Sequence, residues 1–81
     1  MTTDDQTTAA EWAGRFAHEL GTAPPSADEI NDLLAIAGVA AHASERTAAP
    51  LSTWIVGRAG VAPAEAKDVA ARLAAKLAHP G

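Results

Sequence analysis

Alanine occupies 22 of the 81 positions and is spread along the chain from residue 9 onward. It has the highest helix propensity of any residue, and its short side chain lets two helices approach closely. Strand-favouring aromatic residues are limited to Trp12, Phe16 and Trp54. The composition therefore predicts an all-α protein built from short, closely packed helices.

Length, charge and cysteine content narrow the class of protein. A chain of 81 residues fits one domain with a thin hydrophobic core. The absence of cysteine removes disulfides, thiolate metal sites and thiol catalysis, and it favours a reducing compartment, so we expect a cytoplasmic location. The net charge is −4 with scattered basic residues, and the longest apolar run, residues 33–41, is short, so we expect neither nucleic acid nor membrane as a partner.

The spacing of apolar residues, together with the proline and glycine positions, predicts a compact bundle of four short helices. They should span about residues 9–20, 27–43, 50–59 and 63–78, forming a single helical domain over residues 8–81 after a disordered tail at residues 1–7. Thr7 or Thr8 should cap the first helix, and Gly21 should end it. Ser26 and Glu29 have capping-box spacing at the start of the second helix. Pro50 and Pro63 suit the first positions of the last two helices.

The apolar stripes of these helices predict the hydrophobic core. Gly38 lies inside the second helix, where glycine costs roughly 1 kcal/mol relative to alanine, so we expect another helix to approach it closely. The expected core residues are Trp12, Phe16, Ile30, Leu33, Leu34, Leu51, Ile55, Val69, Leu73 and Leu77.

Polar and aromatic side chains cluster between the end of the second helix and the start of the third. Arg46 and the free N–H groups of the third helix are suited to an anion, and a histidine here can titrate near neutral pH. Tryptophan is enriched at binding hot spots. The candidate binding residues are His42, Glu45, Arg46, Ser52, Thr53 and Trp54.

The same residues also have structural interpretations. Arg46 complements the dipole at the end of the second helix, and Ser52 and Thr53 are placed for local backbone hydrogen bonds. His42 is placed at the core edge, where a histidine often bonds a backbone carbonyl. The spacing matches no catalytic triad, helical zinc site or phosphate-binding loop, so we expect no catalytic residue, metal or cofactor.

Two segments carry a resemblance to a known family. GVAAHASERTAAPLSTWIVGRAG (residues 38–60) and EWAGRFAHELG (residues 11–21) resemble a small actinobacterial helical domain family of uncharacterised function. The resemblance extends from about residue 9 to residue 78. Members occur alone or fused to molybdopterin-guanine dinucleotide biosynthesis protein A-type nucleotidyltransferases, which implies an accessory role near molybdenum cofactor maturation.

These observations favour a non-enzymatic accessory or protein-interaction domain. Its partner would be a protein, such as a molybdenum-cofactor nucleotidyltransferase or a molybdoenzyme. The alternative is a domain that binds a small anionic ligand, such as a nucleotide or a pterin phosphate, at Arg46. A third possibility is a weak homodimer that buries an alanine-rich face, in place of a monomer.

Overall fold

The computed structural model describes residues 7–79 and confirms an all-α protein. Its helices are α1 (Ala9–Leu20), α2 (Ala27–Ala43), α3 (Ala48–Ala59) and α4 (Pro63–Ala78), with no strand among the described residues. The tail predicted to be disordered, residues 1–7, lies outside the described residues except for Thr7.

Helix α1 is fixed at both ends by local hydrogen bonds. The Thr8 hydroxyl accepts from the Glu11 backbone N–H at 3.1 Å, and the Glu11 carboxylate accepts from the Thr8 N–H at 2.9 Å. Gly21 ends the helix with a φ of 78°, in the left-handed region that glycine adopts at little cost. The Thr22 N–H then donates to the Ala17 carbonyl at 2.9 Å, which satisfies a carbonyl that the helix leaves free.

Helix α2 begins with the capping box that the sequence predicts. The Ser26 hydroxyl accepts from the Glu29 N–H at 3.0 Å, and the Glu29 carboxylate accepts from the Ser26 N–H at 2.8 Å. Such a cap contributes about 1 kcal/mol to helix stability. A Cβ placed on Gly38 would meet none of the described atoms outside its own helix within 4 Å, so the expected close approach is wrong.

Helix α3 starts two residues earlier than the predicted boundary at residue 50. A turn after Ser44 carries the chain directly into Ala48, and Pro50 takes the third helical position. Proline is tolerated there because the N–H groups of the first turn have no acceptor within the helix. Pro63 opens α4 as predicted, after Ala62 in the extended conformation that a following proline favours.

The chain contains two structural units, separated after Ile30. Unit 1 contains α1 and the first turn of α2, whereas unit 2 contains the rest of α2, α3 and α4. Within unit 2, Lys67 Nζ of α4 lies 3.0 Å from Asp32 Oδ1 near the start of α2. The single-domain organisation expected for residues 8–81 stays a prediction.

The predicted core is largely wrong. Ile30 and Leu33 are partly buried, but the other eight side chains of the expected core are exposed. The fully buried apolar side chain is instead Ile36, at 2% exposure, together with Ala17 in α1. The prediction assumed that another helix covers every apolar stripe, and the exposure of two of these side chains in unit 1 and six in unit 2 shows that it does not.

Between residues 7 and 79, none of the helices combines the length and apolar character needed to cross a membrane.

Gly60 and Gly57 should respond in opposite directions to alanine. Gly60 has a φ of 71°, so a Cβ there is strained and Gly60→Ala should lower the free energy of unfolding by about 1 kcal/mol. Gly57 is helical with open space around its Cβ position, so Gly57→Ala should raise that free energy by roughly 0.5–1 kcal/mol. Urea unfolding followed by circular dichroism measures both, and equal effects of the two variants would contradict the assigned α3 terminus.

The Asp32–Lys67 pair should make stability pH-dependent at alkaline pH. The hydrogen bond to Asp32, reinforced by its charge, raises the pKa of Lys67 above its usual 10.5. Its contribution is therefore fully present below pH 10.5 and is lost as the pH rises through the pKa of the folded protein. Thermal unfolding between about pH 9 and about pH 12 should show a decline that is smaller in Asp32→Asn. Identical declines in both proteins would exclude this role for the pair.

Candidate functional site

The residues predicted to bind a ligand occupy the end of α2, the following turn and α3. His42 lies in the last turn of α2, Glu45 and Arg46 lie in the exposed turn, and Ser52, Thr53 and Trp54 lie in α3. The polar atoms of several of these residues already have hydrogen-bond partners nearby in the chain.

His42 has a local partner. Its Nδ1 lies 2.8 Å from the carbonyl oxygen of Gly38, one turn earlier in α2. Because a carbonyl can only accept, Nδ1 carries the proton and donates this hydrogen bond. This is the carbonyl hydrogen bond that the structural interpretation of His42 predicts.

The start of α3 offers fewer free donors than an anion site would use. The Ala48 N–H donates to the Glu45 carbonyl at 2.9 Å, and the Ala49 N–H donates to the Arg46 carbonyl at 3.1 Å. The next residue is Pro50, which has no N–H. The first three positions of α3 therefore contribute no unpaired N–H, and Arg46 is the cation that the turn itself presents.

The hydroxyls of α3 differ in their surroundings. Thr53 Oγ1 donates back to the Pro50 carbonyl at 3.0 Å, with the Ala49 carbonyl 3.4 Å away. This local bond is the role that its position predicts. Ser52 instead lines an apolar groove within unit 2.

That groove, called here the unit 2 groove, has a volume of about 370 Å³ and is lined by α2, α3, α4 and the residues joining them. No charged side chain lines it, and its two hydroxyl residues are Ser44 and Ser52. Seven of the other lining residues are alanine, and the larger ones are Ile36, Val39, Ile55, Val56, Val61, Val69, Leu73 and Leu77. Alanine side chains are too short to fill the space between three helices, so the groove remains open. The sequence signal was available, because alanine recurs every four residues at Ala66, Ala70 and Ala74.

Trp54 lies on a second surface of α3. It is 61% exposed, and neither it nor Leu51 lines the groove. The guanidinium carbon of Arg58 lies 5.2 Å from the centroid of the Trp54 ring, within the range of a cation–π contact. We call Leu51, Trp54 and Arg58 the Trp54 face, since their i, i+3, i+7 spacing places them on one side of the helix. Sequence reasoning missed Arg58, although its position four residues after a tryptophan was a usable signal.

Unit 1 has an exposed aromatic stripe of its own. The rings of Trp12 and Phe16 on α1 are stacked, with centroids 5.8 Å apart and an interplanar angle of 14°. Trp12 is 61% exposed, the same as Trp54. Among residues 7–79, Trp12 makes no cation–π contact like the one between Trp54 and Arg58, so Trp12 is a useful control for experiments on Trp54.

Within the part of the chain that the structure describes, no three histidine, aspartate or glutamate side chains converge on a position that could hold a metal ion.

The Arg58–Trp54 contact predicts a chemical-shift signature. The ring current of the indole should move the Arg58 side-chain protons upfield relative to those of Arg46 and Arg72, and Trp54→Leu should remove this shift. A two-dimensional NMR spectrum of the labelled protein measures it, with Trp12→Leu as control. Unshifted Arg58 protons in the wild-type protein would contradict the geometry of the Trp54 face.

Comparison with known proteins identifies the family but brings no function. No curated protein and no solved structure gave a match to the chain. The sequence pattern of DUF6457, a domain of unknown function, matches residues 4–80. Because this match covers nearly the whole sequence, the chain belongs to the DUF6457 family.

Proposed function

We propose that this chain is a non-enzymatic accessory domain that binds another protein through the Trp54 face. The observation that carries the proposal is the combination of an exposed tryptophan, an exposed leucine and an arginine in cation–π contact on one side of the helix. Tryptophan and arginine are the residue types most enriched at interface hot spots.

The charged residues of α3 and of the turn before it indicate which side chains a partner surface would present. Arg58 is the one charged residue between Ala48 and Ala59, and Arg46 lies in the turn before the helix. A complementary surface would present an apolar pocket for Trp54 and a carboxylate beside it to meet Arg58. The partner surface is therefore apolar at its centre and acidic at its rim.

The resemblance noted in the sequence selects the first partners to test. It implies a role near molybdenum cofactor maturation, so the candidates are the molybdenum-cofactor nucleotidyltransferase and the molybdoenzymes of the same organism. Binding of a partner of this class would give the domain a role in delivering or regulating that enzyme without catalysis of its own.

The Trp54 face should dominate binding to such a partner. With the purified enzyme immobilised, Trp54→Ala should raise the dissociation constant about 30-fold. This is the change expected for a hot spot that contributes about 2 kcal/mol to binding. Trp12→Ala, a change at an equally exposed tryptophan, should leave the dissociation constant within about twofold of wild type.

Two results would overturn the proposal in different ways. Equal losses in Trp54→Ala and Trp12→Ala, or no loss in either, would remove the Trp54 face as the binding surface. Failure of the wild-type domain to bind any enzyme of molybdenum cofactor maturation would remove the link to that pathway.

A further inference from the structure

The unit 2 groove is bordered by large apolar side chains that unit 2 itself leaves uncovered. Ile55, Val69, Leu73 and Leu77 all line it and are each 48–62% exposed. They belong to α3 and α4 and lie around this one groove. Large apolar side chains that lie exposed around one groove, in contrast to scattered single ones, are a feature of interaction surfaces.

The charges on α4 indicate what covers this patch. Glu65 lies in the first turn, whereas Arg72 and Lys76 lie in the second half of the helix. At 100° per residue, these three positions fall on the same flank of the stripe formed by Ala66, Ala70 and Leu73. The flank is therefore negative at one end and positive at the other.

A second α4 running in the opposite direction complements this distribution. An antiparallel pair places Glu65 of one copy beside Lys76 of the other, twice in the dimer. In that register Ala70 lies near the two-fold axis, where its small side chain permits close approach. Arg72 then lies within about 6 Å along the axis of the opposite Glu65. A parallel pair would instead oppose like charges at all three positions.

We propose that a second copy of the chain covers the unit 2 groove, in a two-fold dimer whose α4 helices pack antiparallel. The contact is isologous, so the same patch serves both copies and the assembly closes at two. Faces on two short helices, of 12 and 16 residues, provide well under the roughly 800 Å² per partner of a standard interface. The dimer is accordingly weak. It uses a different surface from the Trp54 face, so each proposal can fail without the other.

Sedimentation equilibrium of the full chain between about 10 μM and about 1 mM tests the dimer. The wild-type protein should show reversible dimer formation in this range. Glu65→Lys and Lys76→Glu should each raise the dissociation constant of the dimer roughly fivefold, because each variant places two like-charged pairs in the dimer. The double variant Glu65→Lys/Lys76→Glu restores opposite charges and should return to within about twofold of wild type.

The charge-reversal variants distinguish the Glu65–Lys76 contact from the effects of net charge and of the helix dipole. Net charge alone would make Glu65→Lys associate more strongly, since it reduces the charge of −4, and Lys76→Glu associate more weakly. If the unfavourable interaction with the helix dipole acted alone, the double variant would dimerise most weakly of the three variants. Either pattern in place of mutual rescue would overturn the antiparallel arrangement.

Leu73→Glu and Leu51→Glu provide a matched apolar comparison. Both leucines are more than half exposed, but Leu73 lines the groove and Leu51 lies on the Trp54 face. Leu73→Glu should be monomeric at every concentration, whereas Leu51→Glu should dimerise like wild type, with circular dichroism confirming helical content in each. If Leu73→Glu loses its helices, the charge-reversal series decides the question. If the wild-type protein stays monomeric at about 1 mM, the proposal that a second copy covers the groove is wrong.

Discussion

The structure depends first on hydrogen bonds made within a few residues at the helix ends. Thr8 with Glu11 and Ser26 with Glu29 close the first turns of α1 and α2, and Gly21 and Gly60 end α1 and α3 in the left-handed conformation. These helix caps contribute a larger share of the stability here than in larger domains, because few side chains are buried. Alanine adds to the same effect, since it favours helix at almost every position without needing a partner.

The thin interior is the reason that large apolar side chains remain exposed. A helix lined with alanine can lie close to its neighbour, but the short side chains do not fill the space between three helices. The result in unit 2 is an open groove with Ile36 buried at its base and Leu73 and Leu77 exposed at its border. Apolar area that would be core in a larger protein is therefore available for contact with another molecule.

The polar cluster after α2 shows how local bonding limits what a set of functional side chains can do. His42 donates to Gly38, Thr53 donates to Pro50, and the turn carbonyls of Glu45 and Arg46 occupy the first N–H groups of α3. Each of these groups has a partner within four residues along the chain. Trp54 is different, because its side chain is 61% exposed beside Arg58, so it has surface that a partner could contact.

The sequence by itself determined the helices, their order and most of their ends, because caps, prolines and alanine act over three or four residues. It also placed the candidate residues on the correct helix or turn. Only the tertiary structure decided which apolar stripes are covered, since that depends on what packs across from them. Leu51 and Ile55 lie four residues apart and appear equivalent in the sequence, yet one lies on the Trp54 face and the other lines the unit 2 groove. The Asp32–Lys67 contact likewise joins residues 35 positions apart, a pairing that no local pattern contains.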